Sequence, residues 1–545
     1  MKQFINTKET LVTEAIDGSL RTGGGRLARL DGYPHIKVVV RTDWDKSKVA
    51  LVSGGGSGHE PSHAGFVGQG MLTAAVCGEV FASPSVDAVL AGILAVTGKA
   101  GCLVIVKNYT GDRLNFGLAV ERARAFGLKV NMVIVDDDIA LPDLPQSRGV
   151  AGTLFVHKIA GALADQGAGL QAVTDAAERV IDGAVSIGMS LDTCTVPGSP
   201  KEDRIEPGKA ELGLGIHGEA GVEQVAFSNA KTAMAMVVDR LETSLQPGPH
   251  VALLNNLGGT TPLEMAVLAE ELTHSRIGPQ IRWLIGPAPL MTSLDMHGFS
   301  VSLLPVSQTE EALLQAPVAP WAWPGCLALG AVSVLPLPDG LSPIQPLPSQ
   351  DERTQDFIER CCSILIAAEA DLNALDAKSG DGDTGTTLAA AARALIEALP
   401  RLPLADTTQL YRAIGLELSQ VMGGSSGVLL AIFFAAAGDA SSSGQNSIGA
   451  LKAGLERVMQ VGGAGPGDRT MIDALLPALD ALDNGLEAAA SAARQGADAT
   501  SRITRARAGR ASYVSESSLS GHNDPGAEAV ALLFEQILTR HALSA

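Results

Sequence analysis

The sequence predicts an α/β domain followed by an all-α domain, and three observations carry that prediction. Short β-branched runs alternate with helical stretches through the first half, at residues 35–40, 49–52, 103–106, 130–135, 251–254 and 282–285. These read as buried strands, and turns rich in Gly, Asn or Asp follow most of them: Gly54-Gly55-Gly56, Asn108, Asp136-Asp137-Asp138 and Asn255-Asn256. From about residue 351 the β-branched runs almost vanish, and Ala/Leu-rich segments take their place with helical spacing, as in Phe357, Cys361, Ile364, Leu365 and Ala368. Between the two textures lie Pro317, Pro320, Pro324, Pro336, Pro338, Pro343, Pro346 and Pro348, a segment that cannot run as a helix and tends to be extended. The boundaries are placed at 1–330 for the first domain, 331–350 for the linker and 351–545 for the second domain.

A chain of 545 residues is too long for one ordinary core, and 46% hydrophobic content is ample for folding. A formal charge of -19 argues against nucleic acid or an anionic membrane as partner, though not against a nucleotide carried with metal ions. The N-terminus lacks the apolar core of a signal peptide, and the longest strongly apolar run, 428–437, is too short to span a bilayer. Six cysteines lie scattered with no C-x-x-C pair. A cytoplasmic protein with reduced thiols is expected.

Residues 375–387 (LDAKSGDGDTGTT) hold the densest chemistry. Asp381 and Asp383 flank Gly382, so a tight turn can aim both carboxylates at one point, with Asp376 one turn upstream. Clustered carboxylates repel one another and favour a hard cation with oxygen ligands. The Thr384-Gly385-Thr386-Thr387 run opens an Ala/Leu-rich helical stretch, and N–H groups at a helix start attract phosphate. Carboxylates for Mg²⁺ beside N–H groups for phosphate make a nucleotide site. Further glycine-bearing turns open helices at Gly423 to Gly427 (with Ser425 and Ser426), at Gly462 to Thr470 (with Gly467), at Gly509-Arg510-Ala511-Ser512 and at Asp524-Pro525-Gly526-Ala527. Any one of them alone is a helix cap; together they suit a bundle with a nucleotide mouth at one end.

The first half carries three more constellations. Ser53 to Pro61 follows a strand with glycines that admit a small ligand, leaving His59 at the rim. Lys107-Asn108-Tyr109-Thr110-Gly111-Asp112 sits beyond a second strand, where substrates of α/β folds bind. His217 stands in a glycine-rich frame, Glu211 to Glu219, and a neutral imidazole there is a nucleophile a carbonyl can approach. Taken singly, each has a bland reading: a tight connection, a surface ion pair, a loop histidine.

Other patterns are decoys. His59-Glu60-Pro61-Ser62-His63 matches the H-E-x-x-H zinc motif in letters, but a run of glycines precedes it and Pro61 interrupts it. Gly213-x-Gly215-x-x-Gly218 lacks the preceding strand and following helix of a dinucleotide fingerprint. No Gly-Lys pair is followed by Ser or Thr, and the H-R-D and D-F-G signatures of protein kinases are absent.

In their order along the chain, the Gly54–Pro61, Lys107–Asp112, Gly213–Glu219, Asp376–Thr387, Gly423–Gly427 and Gly509–Tyr513 motifs resemble those of the ATP-dependent dihydroxyacetone kinases. The match spans nearly the whole chain, in the single-chain form that fuses a substrate-binding K domain to a nucleotide-binding L domain. The resemblance implies a K domain of two α/β subdomains and an L domain built as a barrel of eight antiparallel helices. It implies a ketose held as a hemiaminal on His217, with Gly56, Ser57, Gly58, His59, Lys107 and Asp112 on its hydroxyls and His59 and Asp112 assisting proton removal. Asp376, Asp381 and Asp383 would bind two Mg²⁺. ATP would lie on Gly382, Asp383, Thr384, Gly385, Thr386, Thr387, Ser425, Ser426, Gly467, Arg510, Asp524, Pro525 and Gly526. The resemblance also favours a homodimer with exchanged L domains, which a long proline-rich tether would permit.

Three departures touch no catalytic group: Ser379 replaces an aliphatic residue, Ala220 a proline, and Ser520 and Asn523 make 519–524 atypical. Alternatives within the same chemistry are a four-carbon ketose such as erythrulose, a phosphotransfer-system-dependent transferase, and a flavin-nucleotide cyclase side activity. A non-catalytic ligand-binding co-regulator is the alternative from another class, and the intact aspartate triad, His217 and Asp112 count against it.

Overall fold

A computed structural model describes residues 3–141, 146–338, 346–378, 380–508, 510–515 and 519–544. The chain divides into two compact units, Met1–Ser333 and Val334–Ala545.

The first unit holds two sheets. β1 (Leu27–Arg29), β2 (Val38–Arg41), β3 (Ala50–Ser57), β4 (Ala74–Val80), β5 (Cys102–Lys107) and β6 (Val130–Val135) form one, in the order β1-β2-β4-β3-β5-β6, with β4, β3, β5 and β6 parallel. β7 (Val185–Ser190), β8 (Lys209–Leu212), β9 (Glu223–Ala226), β10 (His250–Asn256), β11 (Ile281–Ala288), β12 (Gly298–Pro305) and β13 (Cys326–Ala328) form the other, in the order β13-β11-β10-β12-β7-β8-β9, where only β10 and β11 run parallel. The helices are α1 (Leu11–Thr22), α2 (Val86–Val96), α3 (Thr110–Ala125), α4 (Thr153–Asp165), α5 (Leu170–Gly183), α6 (Ala230–Glu242), α7 (Pro262–Thr273) and α8 (Gln308–Gln315).

The period-2 alternation of the strands sorts their side chains into layers. Val52 and Val104 face Val89 and Ile93 of α2 and Phe116 of α3, while Leu51, Leu103 and Ile105 face α4 and α5. Val251, Leu253 and Ile285 of the second sheet close on that same central layer, and Ala252, Leu254 and Val301 face α6 and α7. Helices therefore cover both sheets on both faces, and α4 and α5 are sandwiched between them.

One sequence expectation is corrected here. Gly54-Gly55-Gly56 is not a turn: β3 runs through it to Ser57. A Cβ on Gly54 would lie 2.1 Å from the Val76 carbonyl oxygen of β4, so the glycines let the strands approach closely. Within the proline-dense region, Cys326–Ala328 pairs with β11 as an edge strand. β4, β7 and β12 escaped the reading of β-branched runs because Ala, Gly and Ser interrupt them.

The second unit contains no strand among the described residues. Its helices are α9 (Glu352–Ala367), α10 (Glu369–Asp376), α11 (Thr384–Ala398), α12 (Thr407–Val421), α13 (Gly424–Ser442), α14 (Ser447–Gly462), α15 (Ile472–Ala481), α16 (Leu486–Thr500) and α17 (Pro525–Ser544). The Asp351 carboxylate caps α9 by accepting from the Thr354 N–H at 3.0 Å. α9 and α10 meet at Ala368 and count as one bent rod, so the described residues of the unit make eight rods. From α11 on, each rod packs on the next, and α17 packs back on α9, closing an antiparallel barrel. Ala474, Ala478, Ala493, Ala497, Ala527 and Ala531 let α15, α16 and α17 approach closely.

Candidate functional site

In the first unit, residues converge from both sheets. β3 delivers Gly55 to His59, β5 ends on Lys107, the first turn of α3 carries Asp112, and the loop after β8 carries His217. The loop after β11 clamps the glycine segment. Leu294 N–H donates to Gly58 O at 2.8 Å, Thr292 N–H to His59 O at 3.2 Å, and the Ser62 hydroxyl to Leu290 O at 2.8 Å. Asn255, fully buried at the end of β10, holds that loop through Leu290 N–H, Met291 N–H and Met291 O.

The two predicted histidines meet. Their ring centroids lie 4.8 Å apart, edge to face. Phe81 stacks on His59 and packs edge-on against His217, and Tyr109 packs edge-on against His217 at 4.4 Å. Hydrogen bonds set both tautomers. His59 Nδ1 lies 2.8 Å from the Thr292 carbonyl, so it carries the proton, and the buried Nε2 keeps a lone pair with no protein partner. Burial, with Lys107 nearby, pushes the His59 pKa well below the usual histidine value, so the ring is neutral. His217 Nδ1 lies 3.1 Å from Glu219 Oε1, and its backbone N–H donates to Oε2 at 2.9 Å. Its Nε2 therefore also holds a lone pair. Burial raises the Glu219 pKa, but the hydrogen bonds from His217 outweigh it and hold the carboxyl down at about 2.

Lys107 is fully buried, and Asp112 nearly so. Gly55, at φ +147°, lies against both: a Cβ there would fall 2.9 Å from Lys107 Nζ and 3.4 Å from Asp112 Oδ2. Asp112 Oδ1 has no protein partner. Burial lowers the Lys107 pKa, and the Asp112 charge works against that shift. Two predicted substrate groups are committed within the fold: Ser57 Oγ donates to Gly78 O at 2.8 Å, and Gly58 N–H donates to the Glu60 carboxylate. Sequence reading missed Phe81, Thr292 and Asn255, which come from distant segments, and assigned no role to Tyr109 or Glu219. A non-glycine residue at φ +56°, Phe81 holds a strained backbone beside the site. The zinc-like histidines separate, with His63 Nε2 directed to Lys107 Nζ at 2.9 Å.

In the second unit, one group of potential metal ligands emerges among the described residues: oxygens of Asp376, Asp381 and Asp383 lie within 4.8 Å of one another. A buried aspartate and two exposed ones, with no thiol or imidazole among them, fit Mg²⁺. Gly382, at φ +78°, makes the turn between the last two. Asp376 Oδ2 accepts from Asp383 N–H, Thr384 N–H and the Thr384 hydroxyl at 3.0, 3.1 and 2.9 Å. The Asn373 side chain pairs with Thr386 through its N–H and hydroxyl, and Thr387 N–H bonds to Asp383 O. Most of the helix-start N–H groups expected to face phosphate are thus bonded within the chain.

Because the barrel is antiparallel, the loops after α10, α12, α14 and α16 all fall at one end. They carry Asp376 to Thr387, Gly423 to Ser426, Gly467 and 501–526. Gly467 N–H donates to Asp473 Oδ1 at 2.5 Å. Asp524 is half-buried, and the loss of solvent raises its pKa to about 6; it accepts from Ala527 N–H at 2.9 Å at the start of α17, which opens on Pro525 and Gly526. The buried Arg469, a residue sequence reading passed over, donates to the carbonyls of Leu519 and His522 at 3.1 and 2.7 Å and ties two of these loops together. Arg510 opens a short 3₁₀ turn. Ser379, Gly509 and the side chains of Ser425 and Arg510 lie outside the described residues.

Comparison with known proteins matches residues 27–322 to the Dak1 domain and residues 378–539 to the DAK2 domain. The two together, over an α/β unit and a helical barrel, define a two-domain kinase. The chain belongs to the dihydroxyacetone kinase family. It is 47% identical to the dihydroxyacetone kinase of Citrobacter freundii over 98% of both chains, and 40% identical to the triokinase/FMN cyclase of Homo sapiens over 98% of this chain and 99% of that one. The crystal structure of the C. freundii enzyme in complex with AMP-PNP and Mg²⁺ superposes with a TM-score of 0.68 at 46% identity, covering 99% of each chain.

Proposed function

We propose that this chain transfers the γ-phosphate of ATP to a terminal hydroxyl of dihydroxyacetone (glycerone), giving glycerone phosphate and ADP. The observation that carries the reading is the histidine pair, whose two Nδ1 atoms are committed to Thr292 and Glu219, so that both Nε2 lone pairs serve chemistry. His217 Nε2 adds to the carbonyl carbon. The C–N bond forms as the carbonyl π pair moves to oxygen, and the proton on Nδ1 passes to Glu219 and reaches the new alkoxide by way of solvent. The triose is then a hemiaminal with its remaining hydroxyls on Gly56 to His59, Lys107 and Asp112. The terminal hydroxyl gives its proton to His59 Nε2 or Asp112 Oδ1 as its oxygen attacks the γ-phosphorus, and the bond to the β-phosphate oxygen breaks.

Asp376, Asp381 and Asp383 would hold Mg²⁺, whose charge offsets that of the triphosphate. Gly382 to Thr387, Ser425, Ser426, Gly467, Arg510 and Asp524 to Gly526 would surround ATP. Domain limits of 1–330, 331–350 and 351–545, a cytoplasmic location and a homodimer with exchanged L domains belong to the same reading. No described helix is long and apolar enough to cross a membrane.

The test is ADP release from Mg²⁺-ATP with dihydroxyacetone, erythrulose and glycerol in parallel. Turnover with dihydroxyacetone and none with glycerol, which has hydroxyls but no carbonyl, is the expected result. Turnover favouring erythrulose would move the substrate by one carbon; no ADP with any ketose would overturn the kinase reading.

A further inference from the structure

We propose that His63 is a positioning residue: its neutral imidazole holds the Lys107 ammonium and fixes which of the lysine's N–H bonds are left for the sugar hydroxyls. The inference rests on the reading of the first unit's site given above. Lys107 is completely buried, and its hydrogen bond goes to His63 Nε2 at 2.9 Å. To accept from an ammonium, Nε2 must carry the lone pair, so the ring proton is on Nδ1. Burial, reinforced by Lys107 and then His157, pushes the His63 pKa well below the usual value, keeping the ring in that acceptor form.

The choice of partner matters. A carboxylate at this position would cancel the lysine's charge, whereas a neutral imidazole orients the ammonium and leaves its charge intact. One N–H is spent on His63, and two remain. A Cβ on Gly55 would meet both Nζ and Asp112 Oδ2, so the amine and the carboxylate flank the backbone that receives the sugar. His63 is itself held firmly. The Ser62 hydroxyl donates to Leu290 O at 2.8 Å, Phe66 N–H donates to His63 O at 3.1 Å, and the ring packs edge-on against His157 of α4 at 5.2 Å. The groups facing Lys107 are Asp112 from α3, His59 and His63 from the segment after β3, and His157 from α4. Only Asp112 is anionic, so His63 is the acceptor whose removal the ammonium should feel.

The test compares His63→Leu, His63→Gln and Lys107→Met by steady-state kinetics across pH, with the unfolding midpoint of each variant measured alongside. Both His63→Leu and Lys107→Met are expected to raise KM for dihydroxyacetone by about tenfold or more and to leave KM for Mg²⁺-ATP unchanged. In His63→Leu the alkaline limb of kcat/KM moves to lower pH, because an ammonium without its acceptor deprotonates more readily. Glutamine places an amide oxygen near the Nε2 position, so His63→Gln should restore KM and the alkaline limb to within about threefold of the parent. If His63→Leu fails to fold, His63→Asn, whose amide reaches only the Nδ1 position, replaces it as the deficient variant. A folded His63→Leu with parental KM and pH profile, or a His63→Gln as impaired as the leucine variant, overturns the proposal. Parental KM in Lys107→Met overturns the reading of the site itself, and the role of His63 with it.

Discussion

Glu219 sets what His217 can do. Its two oxygens grip the ring Nδ1 and the backbone N–H of the same residue, fixing the tautomer and the ring plane together. Glu219→Gln removes the charge and one of the two acceptors, so Nδ1–H and the backbone N–H can no longer both be met, and it should lower kcat/KM for dihydroxyacetone by about 10². His217→Ala should abolish capture of the carbonyl altogether, read by ¹³C NMR as an unshifted C2 resonance of labelled dihydroxyacetone in the presence of enzyme. A stability prediction belongs to His157, buried with both ring nitrogens unpartnered and its pKa pushed down to about 3 by burial and by Lys107. In the unfolded chain this imidazole takes up a proton below about pH 6.5, while in the folded state it does so only near the depressed value. Stability is therefore lost as pH falls through that window. His59 and His63 add to the loss, and Asp137 and Asp524, whose pKa values burial raises to about 6, oppose it. His157→Leu should flatten the slope of unfolding free energy against pH by about 1.4 kcal/mol per pH unit between pH 6 and 4, measured by urea denaturation.

At the scale of the element, β3 shows how a strand can be both structure and site. Gly54 lets β4 pass within contact distance, and Gly55 lets the amine of Lys107 lie against the backbone. Gly54→Ala should force the two strands apart and destabilise the first unit by about 1–3 kcal/mol, read as an earlier denaturant transition. The α10–α11 connection is built differently: Asp376 spends one oxygen on the start of α11, and in the proposed reading the other would face the cation. Asp376→Ala should thus shorten or fray the start of α11 as well as abolish Mg²⁺-dependent turnover. Asp381→Ala should abolish Mg²⁺-dependent turnover.

For the whole molecule, the proposed exchange of L domains would make a prediction that no single variant can. Mixed and refolded together, His217→Ala and Asp381→Ala chains would form heterodimers in which an intact K domain meets an intact L domain at one of two sites. About a quarter of parental activity should return at equal mixing, taking random pairing of copies. A dimer without exchange, or a monomer, would return none, and light scattering would tell those two apart. Much of this organisation is legible along the chain. The proline-dense stretch falls where the compact units divide, and Asp351 caps the first helix of the barrel at the place where the texture of the sequence changes. The aspartate triad is legible because its three members lie within eight residues of one another and local geometry brings them together.

What the sequence determined by itself was therefore local: the α/β and all-α textures, the aspartate-rich loop, and the identities of His59, Lys107, Asp112 and His217 through motifs carried on short segments. Tertiary structure alone decided the rest. Thr292 sets the tautomer of His59 from 233 residues away, Asn255 reaches across 35 residues to hold Thr292's loop, and Phe81 enters the site from the far end of β4. The glycine run became strand rather than turn because of a neighbouring carbonyl that no local pattern records. Sequence motifs specify which groups are present; which nitrogen carries a proton depends on partners that only the packing of two sheets brings within hydrogen-bonding distance.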